Sequence, residues 1–123
     1  MTRFLRCDVC GSVVGEIHRA GVVTCCGKPM TELVPNTVDA AVEKHVPVVE
    51  LNGDELIVKV GSVAHPMEDA HYIEWVYVST STGGQRRILL PGQEAEVKFN
   101  VSQDKPSEVL AYCNLHGLWM VRV

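Results

Sequence analysis

The residues best suited to chemistry stand near the end of the chain, where Cys113 and His116 are three positions apart. A Cys-x-x-His step at the edge of a β-strand can place a sulfur and an imidazole nitrogen on the same metal ion. A thiolate and a neutral imidazole together suit iron, copper or zinc. We therefore expect a metal centre in this part of the chain.

Three more histidines lie upstream in polar or turn-like stretches. His45 precedes the first strand of a predicted β-domain, and His65 and His71 flank a loop that contains a proline and an acidic pair. Four neutral nitrogens and the Cys113 thiolate would make five ligands. Because zinc usually takes four, the fifth ligand favours iron, with the histidines in a plane, the sulfur on the axis and the sixth position open to solvent.

Such a site has an electrostatic consequence for its substrate. A ferrous ion with four neutral imidazoles and one thiolate would carry a formal charge of about +1, and Lys44, beside His45, would add to this field. An axial thiolate also pushes electron density onto whatever binds opposite it. These properties suit a small anionic oxygen species as substrate.

A second metal-binding pattern occupies the first part of the chain, where Cys7 and Cys10 form a CxxC step and Cys25 and Cys26 are adjacent. Four thiolates in so short a stretch predict an all-sulfur tetrahedral site that replaces the core the segment is too small to build. Four-sulfur geometry alone does not separate zinc from iron. Adjacent cysteines point in different directions on an extended backbone, so we expect a distorted tetrahedron. The odd total of five cysteines argues against complete disulfide pairing.

The rest of the sequence predicts two units, residues 1–36 and residues 37–123, joined near Val34–Thr37. From about residue 46 onward, turn signals at 52–54 and 81–84 separate short β-type runs, and 94–101 alternates apolar with polar residues. About seven such strands predict a mostly β fold, an immunoglobulin-like antiparallel β-sandwich that follows the small metal-binding module.

Composition excludes several classes of function. The formal net charge is −4 and no basic run is present, which argues against nucleic-acid binding. No stretch approaches the roughly 20 apolar residues that span a bilayer, and the first residues contain no apolar segment of signal-peptide length. The sequence therefore predicts a cytoplasmic protein without a membrane partner.

Two other functions use some of the same residues. A structural zinc knuckle would explain the four cysteines of the first unit. A cupredoxin-like copper site would combine Cys113, His116 and Met120 with one upstream histidine, but it would leave two histidines without a role.

At these motifs the sequence resembles desulfoferrodoxin, the two-iron class of superoxide reductase, over essentially its whole length. The first unit resembles the desulforedoxin-type, rubredoxin-like module. The second unit resembles the catalytic module in four motifs, which are Glu43-Lys44-His45-Val46-Pro47, Gly61 to Met67, His71 to Trp75, and Cys113-Asn114-Leu115-His116-Gly117.

The resemblance implies two irons in each chain, one held by Cys7, Cys10, Cys25 and Cys26 and the other by His45, His65, His71, His116 and axial Cys113. It further implies one-electron reduction of superoxide to hydrogen peroxide without release of dioxygen. Lys44 would hold the water that delivers a proton, and Glu43 would occupy the sixth position of the oxidised iron. Rubredoxin or a similar donor would restore the ferrous state, and a homodimer is expected. The alternative to superoxide reductase is a non-catalytic iron protein that only transfers electrons.

Overall fold

The structure is a computed structural model that describes residues 2–39 and 44–123. The chain divides into two compact units, Met1–Val34 and Pro35–Val123. The described residues form twelve β-strands and no helix, which confirms the mostly β fold class. In this described part of the chain there is accordingly no helix long and apolar enough to cross a bilayer.

The first unit consists of five short strands around a very small core. Only a few of its side chains are well buried, among them Phe4, Leu5 and Cys7. A unit with so little buried apolar area depends on another source of stability, such as a bound metal. Its strands form a three-stranded sheet in the order β2-β1-β5 and a separate hairpin of β3 and β4, with bounds β1 Arg3–Arg6, β2 Val13–Glu16, β3 Thr24–Cys25, β4 Lys28–Pro29 and β5 Thr31–Glu32.

The second unit contains seven strands in two antiparallel sheets. One sheet has the order β10-β7-β6 and the other has the order β12-β11-β8-β9. The bounds are β6 Pro47–Asn52, β7 Glu55–Val60, β8 Ile73–Thr80, β9 Gly83–Ile88, β10 Glu96–Asn100, β11 Pro106–Cys113 and β12 Gly117–Arg122. The hairpin turn after β6 is the Gly53-Asp54 turn that the sequence predicted, and it sets the register between β6 and β7.

The core of the second unit draws on strands of both sheets. Its fully buried members include Leu56 and Val58 of β7, Val76 and Val78 of β8, and Phe99 of β10, all at 0–1% exposure. The alternation predicted for 94–101 is present, because its apolar positions are buried or half-buried and its intervening side chains are more exposed. Cys113 belongs to the same cluster, so its sulfur is supplied from the interior of the unit.

Two strands begin later than the sequence indicated. The β-type run from His71 to Thr80 predicts a strand that starts at His71. β8 instead starts at Ile73, because the His71 amide and carbonyl pair with those of Glu68 in the preceding loop, at 3.1 and 3.0 Å. β10 starts at Glu96 rather than Glu94. The first shift matters for the site, because it places His71 in a loop rather than inside a sheet ladder.

Candidate metal centres

The four cysteines of the first unit converge on one point. Their sulfur atoms all lie within 4.8 Å of one another. Cys25 Sγ is 3.6 Å from Cys10 Sγ and 3.9 Å from Cys26 Sγ. A tetrahedral ion with metal–sulfur bonds of about 2.3 Å would separate its ligands by about 3.8 Å, so these spacings fit one ion. All four cysteines are free of disulfides.

A tight turn lets the two adjacent cysteines serve the same centre. Thr24–Cys25 and Lys28–Pro29 form a hairpin whose two-residue loop is Cys26-Gly27. Both loop residues have positive φ, 53° and 75°, as a type I′ turn requires. The expectation of an extended backbone at the cysteine pair was therefore wrong, since Cys26 is left-handed and the chain reverses there.

Hydrogen bonds to the sulfurs of Cys7 and Cys10 favour the thiolate forms of these two residues. The Ser12 hydroxyl, 3.1 Å from Cys10 Sγ, together with the Ser12 amide lowers the pKa of the Cys10 thiol to about 6. The Cys10 amide, whose nitrogen is 3.5 Å from Cys7 Sγ, is the main cause that lowers the pKa of Cys7. By contrast, hydrogen bonding with the Cys7 and Cys10 sulfurs raises the pKa of Cys25 to about 12. Four thiolates at neutral pH therefore require a cation among them, which is the donor chemistry of an iron or zinc site.

The second centre is assembled from strand ends and the loops beside them. Cys113 is the last residue of β11, and His116 stands in the turn before β12. His45 lies two residues before β6, and His65 and His71 lie in the connection between β7 and β8. Ligand atoms of His45, His65, His71 and Cys113 are all within 4.8 Å of one another. His116 lies against this group, with its Nδ1 3.2 Å from His45 Nε2 and 3.8 Å from Cys113 Sγ.

The four imidazoles follow one another in a closed ring. Ring centroids are separated by 4.6 Å for His45 and His65, and by 4.9 Å for His65 and His71. The ring closes with 5.1 Å between His71 and His116, and 5.0 Å between His116 and His45. Each histidine therefore has two histidine neighbours, as at the corners of a square. Metal–nitrogen bonds of about 2.1 Å would separate neighbouring nitrogens by about 3.0 Å, close to the 3.2 Å between His45 and His116.

Burial gives the square an inner and an outer side. The Cys113 side chain is 0% exposed, and His45 and His65 are 3% exposed, whereas His116 is an exposed residue. The Cys113 sulfur thus lies on the core side of the site, whereas His116, one of the four histidines, lies at the surface. The axial position expected for this thiolate stays a prediction.

Several contacts outside the donor set fix the histidine rings. His65 Nδ1 is 2.7 Å from the Pro66 carbonyl, so Nδ1 carries the proton and donates to this carbonyl. Nε2 is then the unprotonated nitrogen, which is free to act as the metal ligand. Trp119 stacks on His45, with ring centroids 4.4 Å apart and an interplanar angle of 11°. Its indole Nε1 donates to the His116 carbonyl at 3.1 Å. Trp119 was not among the predicted site residues, because nothing in the spacing places it beside a histidine 74 positions away.

The segment that carries His45 is held from two sides. The Asp39 carboxylate accepts hydrogen bonds from the amides of His45 and Val46, at 2.6 and 2.9 Å. On the other side, a Cβ at Gly61 would lie 3.0 Å from the Lys44 carbonyl, so a larger residue would force the two backbones apart. Asp39 was not among the predicted site residues. An Asp six positions ahead of a ligand carries no signal of its own in a single sequence.

Lys44 and Glu43 are the two predicted catalytic residues. Lys44 directly precedes His45 and is half-buried, so its backbone is fixed next to the ring of histidines. Glu43 lies outside the described residues. The fifth histidine of the chain, His18, is exposed in the first unit.

Comparisons with known proteins agree with these two centres. The desulfoferrodoxin family profile matches residues 37–122. The desulfoferrodoxin of Syntrophotalea carbinolica is 51% identical over 115 residues, which cover 93% of this chain and 90% of that protein. A crystal structure of the superoxide reductase from Treponema pallidum superposes with a TM-score of 0.84 at 37% identity, covering 98% of both chains. The 1Fe superoxide reductase of Giardia intestinalis matches at a TM-score of 0.56 and 32% identity, over 66% of this chain and 97% of that one.

The fold and the donor sets are those of a β-protein with two iron centres, one with four cysteines and one with three histidines and a cysteine, against which a fourth histidine lies. The chain belongs to the desulfoferrodoxin family. Both the family resemblance and the two-iron cofactor set inferred from the sequence are thereby confirmed.

Proposed function

We propose that this protein is a superoxide reductase, which adds one electron and two protons to superoxide and releases hydrogen peroxide without dioxygen. The observation that carries the proposal is the closed ring of four imidazoles set over the buried sulfur of Cys113. An iron held by these five donors would still have room to bind a substrate. An iron ion bound there supplies a single electron at a time, tuned by its thiolate ligand.

The protein residues have separate roles in this proposal. His45, His65, His71, His116 and Cys113 would hold the second iron, the histidines through imidazole nitrogens and Cys113 through its thiolate. Cys7, Cys10, Cys25 and Cys26 hold the first iron. The ammonium group of Lys44 draws the anion toward the ring of histidines and orients a water molecule that delivers a proton. Glu43 would bind the oxidised centre when no substrate is present.

The electron must come from outside the chain, because each turnover consumes one. We propose rubredoxin or a similar small one-electron protein as the donor, and a cytoplasmic location. Five cysteines, all free of disulfides and used as ligands, suit a reducing compartment. We also propose a homodimer. In its support, the small first unit exposes large apolar side chains, including Ile17 at 102% and Val22 at 77%.

Two rival functions use fewer of the observed donors. A cupredoxin-like copper site needs two histidines, whereas His45, His65 and His71 all join the group around Cys113. A non-catalytic electron-transfer protein would use the four-sulfur centre and would have no need of a charged residue beside the second one. The Lys44 side chain therefore offers a direct test between electron transfer and superoxide reduction.

Replacing Lys44 by alanine should slow the second-order reaction of the reduced protein with superoxide by roughly tenfold at low ionic strength. The difference from the wild type should narrow as salt is added, because the Debye length falls from about 30 Å at 0.01 M to about 10 Å at 0.1 M. Stopped-flow mixing of superoxide with the reduced protein over a salt series measures both effects.

Lys105→Ala is the matched control for Lys44→Ala. It removes the same charge at the residue just before β11. Cys113 is the last residue of that strand, eight positions further on, so it lies about 26 Å from Lys105. The control should react at close to the wild-type rate. An unchanged rate constant for Lys44→Ala at low salt would remove Lys44 from the mechanism, and no reaction of the wild-type protein would remove the proposed function.

A further inference from the structure

We propose that Asn114 is the positioning residue that sets His71 in register with Cys113 and His116, and so fixes three of the five ligands of the second centre relative to one another. This inference rests on the proposed function only in taking that centre to hold iron. It gives a role to a side chain that lies between two ligands and is not itself a donor.

The Asn114 side chain bonds to the backbone on both sides of His71. Its Oδ1 accepts a hydrogen bond from the Tyr72 amide at 2.9 Å, and its Nδ2 donates to the Ala70 carbonyl at 3.0 Å. The Asn114 amide donates to the Tyr72 carbonyl at 3.2 Å. Three hydrogen bonds thus connect segments more than forty positions apart in the chain, and they enclose the one residue between them, His71.

These bonds take the place of a sheet ladder that has become irregular. The pairing of β8 with β11 matches Tyr112 with Trp75 but Cys113 with Ile73, so Glu74 is left without a counterpart. Such a bulge weakens the definition of register where the two strands reach the site. The Asn114 side-chain amide has one donor and one acceptor group, as a peptide unit has. It therefore continues the hydrogen bonding between the two strands one step beyond the last paired residues.

The Asn114 hydrogen bonds tie the His71 segment to the end of β11, which carries the Cys113 sulfur. The paired bonds between His71 and Glu68 close the loop on itself and do not tie it to β11. The other histidines are held differently, His65 through the Pro66 carbonyl and the His45 segment through Asp39. Because groups that orient metal ligands commonly change metal affinity by about 10- to 100-fold when removed, Asn114 should act on affinity and on ligand geometry.

Asn114→Ala should raise the dissociation constant of the second iron by about 10- to 100-fold and leave the first iron unchanged. Competition with an iron chelator, followed in the visible absorption of each ferric centre, measures both in the same sample. At saturating iron, the variant should also show a shifted thiolate charge-transfer band and an altered electron paramagnetic resonance spectrum of the second centre. A residue that only stabilised the turn would move the unfolding midpoint and would leave these spectra unchanged.

Two further variants complete the test. Leu115→Ala changes the exposed neighbour in the same turn and should retain the affinity and spectra of the wild type. Asn114→Asp keeps the acceptor for the Tyr72 amide and loses the donor to Ala70, so its affinity should fall between the wild type and Asn114→Ala.

Wild-type affinity and spectra in Asn114→Ala would overturn the inference, as would an equal loss of iron from both centres. The chelator experiment contains no superoxide. If the wild-type protein bound two irons but failed to reduce superoxide, the proposed function would therefore be lost while the role of Asn114 would still be tested.

Discussion

Replacing Cys113 by serine is expected to abolish the ferric thiolate absorption of the second centre and to reduce superoxide turnover to the background rate, while the absorption of the first centre persists. Cys113 is the only sulfur donor of the second group, and its side chain is fully buried beneath the histidines. Serine keeps the size of the side chain but offers a protonated hydroxyl in place of a polarisable thiolate. The optical spectrum of the oxidised protein measures the loss, and an assay of superoxide consumption measures its consequence.

Cys26→Ser is the reciprocal control for Cys113→Ser. It removes one of the four sulfurs of the first centre, so the first absorption should be lost or strongly altered and the second should persist. Each variant thus serves as a folding control for the other. Survival of both absorption bands in Cys113→Ser would show that Cys113 is not a ligand.

The second large effect concerns the stability of the sandwich that holds the ligands. Phe99→Ala should lower the free energy of unfolding of the second unit by about 3–5 kcal/mol, because it removes a large side chain from a well-packed core. Phe99 is 1% exposed, and the Arg87 guanidinium lies 5.1 Å from the centre of its ring. Urea unfolding followed by tryptophan fluorescence reports on this unit, since both tryptophans, Trp75 and Trp119, lie in it.

Lys98→Ala is the matched control for Phe99→Ala, since it truncates the adjacent exposed side chain of the same strand. It should change the free energy of unfolding by less than about 0.5 kcal/mol. Equal unfolding midpoints for Phe99→Ala and Lys98→Ala would contradict the assignment of Phe99 to the core.

The strands of the second unit could be predicted because their signals are local. The turn at Gly53-Asp54 and the alternation around Phe99 are each contained within a few residues, and short-range geometry decides them. The late start of β8 could not be predicted in this way. It depends on the pairing of His71 with Glu68, which competes with extension of the strand.

The metal ligands were accessible to sequence reasoning because their chemistry is unusual. Cysteines and histidines near turns are few in this chain, so their donor chemistry suggested two groups, and the family resemblance gave the same grouping. The Cys26-Gly27 turn was missed because a non-glycine residue rarely takes a positive φ, so a bare sequence gives little reason to expect one.

The residues that hold the ligands in place were not accessible in the same way. Asp39, Asn114 and Trp119 are common residue types that act through backbone contacts or ring stacking. Asn114 contacts a segment more than forty positions away, and only the folded chain brings the two together. The ligand types could therefore be read from the sequence, whereas the groups that orient them required the structure.

The most direct test of superoxide reduction is the product balance. Superoxide should be added to the iron-loaded protein in the presence of a one-electron donor, with hydrogen peroxide and dioxygen measured together. We expect one hydrogen peroxide for each superoxide consumed, an equivalent amount of donor oxidised, and no dioxygen beyond that formed by spontaneous dismutation. Dioxygen formed in an amount equal to the peroxide, with the donor left unoxidised, would show dismutation and contradict the account.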